Sequence, residues 1–227
     1  MKRFLPSLCI VSACLFTFGA RAQLTEPWDF RFDIGGSIPQ SADLKHSSGE
    51  LELNAGFTMN FALSYRLQPW LSVGPELGLN FNTVDSFAGY KPSSGADLFQ
   101  MPMMLNLMVE YPPDSRLRPF AGIGIGGVVS VLSSEYGYYS GYWYYWEDYS
   151  TDTDVTWAAQ AFAGIRYDLS DRMSVGLLYR FLATASQEWT FTEQYWSDPW
   201  TYRSVRYDVE VDSIQNHSIS LLFSWQF

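Results

Sequence analysis

The sequence predicts an all-β chain whose exported part closes into an eight-stranded antiparallel transmembrane up-and-down β-barrel. Three observations predict it. The N-terminus carries an export segment, apolar residues recur at every second position along most of the remaining chain, and the connections fall into a short class and a long class.

The export segment opens with Lys2 and Arg3, runs through the apolar stretch Phe4 to Phe18 and reaches Ala20-Arg21-Ala22. That layout is a secretory signal peptide of residues 1–22, cut between Ala22 and Gln23, which leaves 23–227 as one barrel domain. Pro6 and Ser12 interrupt the stretch, and it is shorter than the roughly 20 residues a membrane helix needs. A competing reading takes Val11-Ser12-Ala13-Cys14 as a lipoprotein cleavage box with Cys14 acylated; it would strand Leu15 to Phe18 as an unexplained apolar segment. Cys9 and Cys14 are the only cysteines, so the mature chain has neither a disulfide nor a thiolate metal site. Cleavage removes three basic residues and no acid, leaving 11 Lys and Arg against 24 Asp and Glu, a net charge of −13. Such a surface should repel nucleic acid and anionic lipid.

The expected strands follow in order. Residues 28–38 set Phe30, Phe32, Ile34 and Ile38 against Asp29, Arg31, Asp33 and Ser37. Residues 53–66 set Leu53, Ala55, Phe57, Met59, Phe61, Leu63 and Tyr65 against small or polar neighbours, and 71–82 repeat the pattern from Leu71 to Phe81. Segments near 98–111, 118–132 and 155–168 alternate less cleanly, because Gly, Ala and Met occupy both faces. Residues 172–184 carry Met173, Val175, Leu177, Tyr179 and Phe181 on one face, and the chain ends with Ile219, Leu221, Phe223, Trp225 and Phe227 on one face. A period of two places each set on one side of a strand. Short turns lie at 67–70, 112–116 and 169–172, whereas 39–50, 84–97, 133–154 and 187–210 read as long loops. An outer-membrane barrel has short turns on its periplasmic side and long loops outside.

On these residues the chain resembles the small outer-membrane β-barrel superfamily that includes the OmpA transmembrane domain and OmpX. Its most specific local element is the terminal run Ile219, Leu221, Phe223, Trp225 and Phe227, which is similar to the β-signal read by the barrel assembly machinery. The resemblance implies a Gram-negative outer-membrane location reached by Sec export. It implies contact with outer-membrane lipid and lipopolysaccharide, and with periplasmic chaperones and the assembly machinery during biogenesis. It does not extend to a periplasmic peptidoglycan-binding domain, so no cell-wall anchoring role follows.

The polar phase directs Arg31, Asp33, Arg66, Glu76, Glu110, Arg166 and Arg180 into the lumen, with Asp29 and Arg118 beside them. Buried ions must be paired, and an eight-stranded barrel is only wide enough to be filled by its own side chains, so a structural charge network is the economical reading. A gated ion path is the sharper one. In the loop around 133–154, Tyr138, Tyr139, Tyr142, Trp143, Tyr144, Tyr145 and Trp146 offer rigid amphipathic contact area, suited to binding or to an interfacial girdle. His46-Ser47-Ser48 superficially resembles the His-x-Ser element of lipid A deacylases, but no acid stands at a recognisable position. With no phosphate loop, metal-ligand cluster or nucleophile elbow, the sequence predicts no catalytic residue, metal or cofactor. The expected function is a non-enzymatic outer-membrane barrel for surface contact, adhesion or envelope integrity. The alternatives are a lipid-modifying enzyme, a narrow channel, or a soluble periplasmic barrel whose apolar phase points inward around a ligand.

Overall fold

A computed structural model describes residues 27–45, 49–87, 96–111, 116–137, 147–198 and 201–227. The expected cleavage pair Ala22 and Gln23, the His46-Ser47-Ser48 element and the aromatic run 138–146 lie outside the described residues.

The strands are β1 (Trp28–Pro39), β2 (Ala42–Asp43), β3 (Glu50–Leu53), β4 (Gly56–Gln68), β5 (Leu71–Phe87), β6 (Ala96–Glu110), β7 (Leu117–Gly137), β8 (Glu147–Asp168), β9 (Met173–Thr184), β10 (Gln187–Asp198), β11 (Thr201–Val211) and β12 (Gln215–Gln226). Eight of them, β1, β4, β5, β6, β7, β8, β9 and β12, pair antiparallel in ring order and close the barrel. The seam joins the first and last strands along Asp29↔Gln226 to Pro39↔Asn216. At its lower end Trp28 N donates to Phe227 O at 3.1 Å and Phe227 N to Trp28 O at 2.9 Å. Closure leaves no unpaired edge in the ring, which a backbone in hydrocarbon requires. No helix of the described residues is long and apolar enough to cross a membrane.

The period of two becomes two faces. On β4, Thr58, Asn60, Ala62 and Ser64 are buried, while Phe57, Leu63 and Tyr65 are exposed. Around the ring Ile123, Ile125 and Trp157 are 63%, 64% and 72% exposed, with Leu105, Leu177, Ile219 and Phe223 in the same band. Water does not tolerate so large a continuous apolar surface, but lipid does. The apolar phase therefore points outward, which overturns the soluble ligand-binding alternative. Trp28, Tyr65, Trp70, Tyr111, Tyr167 and Trp225 ring the end with the short turns, where amphipathic rings suit a membrane interface.

The long connections are more regular than the sequence reading allowed. β5 runs on to Phe87, and β7 and β8 remain paired up to Gly137↔Glu147. Much of 187–210 is the β10–β11 hairpin, paired from Gln187↔Val211 to Asp198↔Thr201. Two short strands turn across the mouth: β2 pairs with β3, β3 pairs with β5, and Leu44 bridges Val211. The turn at 169–172 is built locally, with Leu169 N donating to Met173 O at 2.9 Å and Met173 N to Ser170 Oγ at 3.1 Å.

Candidate functional site

The interior is the candidate site, and it is layered. In the lowest tier Arg166 on β8 donates from Nη1 to Asp29 Oδ2 at 2.9 Å, and its other terminal nitrogen pairs with Glu110 on β6. Arg118 on β7 donates to Glu110 Oε1 at 3.2 Å and grips Asp168, with Nε to Oδ2 at 2.6 Å. With the Gln226 amide turned so that its oxygen faces the cations, it accepts from Arg66 at 3.0 Å and from Arg166 at 3.2 Å.

A second ionic group lies one layer higher. Arg180 on β9 donates from Nη2 to Asp33 Oδ2 at 3.2 Å and to Glu76 Oε2 at 3.1 Å. The carboxylates are further engaged: Asn60 donates to Asp33 at 2.8 Å, Asn106 to Glu76 at 3.0 Å and Gln160 to Glu76 at 2.9 Å. One glycine of β7 makes room for the amides of this tier. A Cβ at Gly124 would stand 2.0 Å from Asn106 Oδ1, so the glycine leaves the space over β7 in which that oxygen accepts from Gln160 Nε2 at 2.7 Å.

Arg31 sits between the two groups and is held differently. Its Nη1 donates to Met108 Sδ at 3.0 Å and its Nη2 to Ser64 Oγ at 3.0 Å, and its guanidinium carbon lies 5.8 Å from the Phe162 ring centre. Among the described residues no carboxylate stands within 4.0 Å of it, so it is neutralised at longer range and by the ring face. Above the ions lies an uncharged polar tier. Thr58 donates to Asn80 at 2.7 Å, Ser37 to Asn216 at 2.9 Å and Gln100 to Ser130 at 3.3 Å.

At the mouth the polarity of the two faces reverses. The inner face there is Ala42, Leu44, Leu51, Val84, Ala96, Leu98, Leu132, Trp189, Val209, Val211 and Ile214, packed as one apolar core. The outer face carries Asp43, Lys45, Glu50, Glu52, Glu188, Asp208 and Asp212. Trp189 is fully buried and donates from Nε1 to Ser130 O at 3.4 Å. Its hairpin is held to β8 by side chains: Asp154 accepts from Glu188 N at 3.2 Å and Asp152 from Thr190 N at 2.5 Å. On the far side Lys45 donates to Glu210 at 2.7 Å and lies 3.9 Å from Asp212.

The structure therefore brings Arg31, Asp33, Glu76, Glu110, Arg166 and Arg180 together as buried lumen residues, with Arg66 half-buried below them. Ile219, Leu221, Phe223 and Trp225 line the exposed outer face of β12, and Phe227, just past its end, is exposed as well. The sequence reading left out Asp168, the partner of Arg118, although it shares the inward phase of Arg166 two residues before it. It also left out the apolar cover, whose signal was the alternation Asp208-Val209-Glu210-Val211-Asp212 inside a presumed loop. His217 faces outward on β12, where its Nε2 accepts from Gln40 Nε2 at 2.8 Å and its Nδ1 shares a hydrogen bond with Tyr179 OH at 2.7 Å. Among the described residues no group of His, Cys, Asp and Glu could hold a metal ion.

Solved structures share this architecture. The chain is similar to the outer membrane protein OprG from Pseudomonas aeruginosa at 15% identity and a TM-score of 0.58, over 89% of this chain and 97% of that one. It is similar to the outer membrane protein AlkL, determined in DMPC bilayers, at 18% identity and a TM-score of 0.54, over 93% and 95%. Neisserial surface protein A aligns at 12% identity and a TM-score of 0.51, over 88% and 97%. At these identities the likeness is one of fold. No curated protein matches the chain. The family model for the outer membrane protein beta-barrel domain matches residues 10–227, and with a closed eight-stranded ring and a lipid-facing belt the chain belongs to that family.

Proposed function

We propose that this protein is a non-enzymatic, non-conducting outer-membrane barrel that holds surface hairpins in place for contact with other cells or with envelope components. The observation that carries the reading is the filled interior: ion pairs cross the lumen at two levels, and an apolar core seals the mouth above them. A conducting path needs a continuous hydrated route, and paired buried ions beneath a dry core offer none. The contact role is supported by the β7–β8 and β10–β11 hairpins, which continue beyond the polarity reversal, and by the Tyr- and Trp-rich sequence between β7 and β8. Sec export, folding through the assembly machinery, and outer-membrane lipid and lipopolysaccharide as surroundings belong to the same reading.

Planar bilayers test it. Purified protein should give no conductance steps above the lipid background, and stable steps would replace this reading with a narrow channel. On whole cells, protease should cut within 133–154 and leave the barrel core protected. A chain left intact by the protease would contradict surface display.

A further inference from the structure

The mouth repeats the ring beneath it, with one joint made differently from the rest. Above the belt β10, β11, β2 and β3 take the places of β9, β12, β1 and β4, so the order from β8 round to β5 is β8, β10, β11, β2, β3, β5. Within that order β10 and β11 form a sheet of their own, separate from the barrel sheet. The chain leaves strand structure at 185–186 and 212–214, and each interruption moves the buried face by one residue. Leu182, Thr184, Asn216 and Ser218 are buried at even positions, whereas Gln187, Trp189, Val209 and Val211 are buried at odd ones. The hairpin is therefore attached to β9 and β12 by two short links and does not continue them.

Its joint to β8 is made by side chains. Ala185 N donates to Trp157 O at 2.7 Å, and above that rung no backbone hydrogen bond joins β8 to β10 among the described residues. Three β8 side chains take over: Thr156 Oγ1 donates to Ser186 O at 3.2 Å, Asp154 Oδ2 accepts from Glu188 N at 3.2 Å, and Asp152 Oδ2 accepts from Thr190 N at 2.5 Å. These rungs advance by two residues on each strand, as an antiparallel ladder does, but a carboxylate stands where a carbonyl belongs. A backbone rung parts only when a strand moves, while a carboxylate rung is released by rotation within one side chain. The hairpin itself is tied across its whole length, from Gln187↔Val211 to Asp198↔Thr201, with Thr190 Oγ1 donating to Asp208 at 2.8 Å. Its contact with β2, the single bridge Leu44↔Val211, lies at its foot beside the interruption at 212–214.

The closed position also contains a group that favours leaving it. Gln187, at the foot of β10, is fully buried, and neither of its amide atoms has a hydrogen-bond partner among the described residues. A dry, unpaired amide is destabilising, and water reaching it removes that penalty. The burial of Trp189 two residues on opposes it.

We propose that the β10–β11 hairpin is a hinged flap of the mouth. It swings away from β8 as one unit about 185–186 and 212–214, with Asp152 and Asp154 as its latch, while the eight-stranded ring and its ion pairs stay closed. A few residues at element ends absorb such a movement, and a unit with its own internal ladder and weak flanks opens below the free energy of global unfolding. The proposal goes beyond the contact role of the hairpins and does not require it.

Hydrogen exchange of the full chain in lipid nanodiscs, read by mass spectrometry, tests it. Amides at 187–190 and 208–211 should exchange together and faster than those of β9 and β12. Asp152→Ala combined with Asp154→Ala should accelerate exchange about tenfold, and only within 187–211, since two charge-assisted hydrogen bonds are lost. Asp152→Asn combined with Asp154→Asn keeps both acceptor oxygens and should stay close to the wild type. Gln187→Leu, which removes the unpaired amide at similar volume, should slow exchange of the same segment about threefold. Heat-modified gel mobility confirms that each variant folds. An alanine pair without effect, an equal rise in β9 and β12, an asparagine pair as fast as the alanine pair, or faster exchange in Gln187→Leu would each overturn the proposal. None of these results bears on conductance or protease shaving, so failure here is distinguishable from failure of the proposed function.

Discussion

Within the apolar belt the barrel keeps its ions inside and its hydrocarbon side chains outside; at the mouth the same β-strands and their hairpins do the reverse. Below, Arg180 joins Asp33 and Glu76, and Ile125 faces out. Above, Leu98, Leu132 and Trp189 pack inside, while Asp97 and Glu188 face out. The strand geometry is common to both regions, so the difference is one of solvent. Lipid outside selects an apolar outer phase and forces polar residues into the lumen. Water outside selects a polar outer phase and lets the interior become an ordinary dry core. The level of the reversal, near Leu98 and Leu132, marks where hydrocarbon gives way to water on this molecule. It also separates two kinds of packing: directional ion pairs and hydrogen bonds in the lumen, apolar contacts in the cover.

That comparison breaks most visibly at Arg180. Arg180→Ala leaves Asp33 and Glu76 with amide partners only, and should lower barrel stability by about 3–5 kcal/mol. Urea unfolding in vesicles, followed by heat-modifiable gel mobility, measures it. The triple change Arg180→Met, Asp33→Asn and Glu76→Gln should recover most of the loss, because the stranded charges are then gone; no recovery would mean that the network contributes through something other than pairing. A smaller and more local effect is expected in the cover. Trp189→Ala removes a buried indole, typically about 3–5 kcal/mol, but the cost should fall on opening of the β10–β11 hairpin. Hydrogen exchange should therefore rise within 187–211 and not in β1 or β12. A matching drop in whole-barrel stability would show that the two regions unfold as one unit.

The smallest effect belongs to the exposed tether of the cover. The hydrogen bond from Lys45 to Glu210, aided by the charges of Glu210 and Asp212, holds the Lys45 ammonium above its ordinary value of 10.5. Its contribution is thus complete below that pH and is lost as the pH rises through the raised value. Proteolysis of the 39–53 segment should accelerate at the alkaline end in the wild type. In Lys45→Met it should be faster at neutral pH and insensitive to that rise.

Much of the barrel was legible because alternation is local. Phe57 to Tyr65 and Leu71 to Phe81 state their two faces residue by residue, and the unbroken polar phase shows where Asp33, Glu76 and Arg180 point. The pairing of those ions was not legible. Arg166 meets Asp29 across 137 positions of sequence, and only closure of the ring brings β8 near β1. Asp168 escaped notice because it ends its strand, where a turn residue and a lumen residue look alike. The cover escaped because its hairpin is rich in polar and aromatic residues, which read as loop when the alternation of 208–212 is judged against a membrane strand.

The sequence by itself determined the all-β class, the two faces of most strands and the division between short and long connections, since each depends on neighbours a few residues apart. Only the tertiary structure decided that the inside phase turns apolar at the mouth, which arginine holds which carboxylate, and that the mouth is closed by an apolar core. A period of two says that residues share a face, but the face is given its meaning by the solvent beyond it. That solvent changes from lipid to water along a single strand.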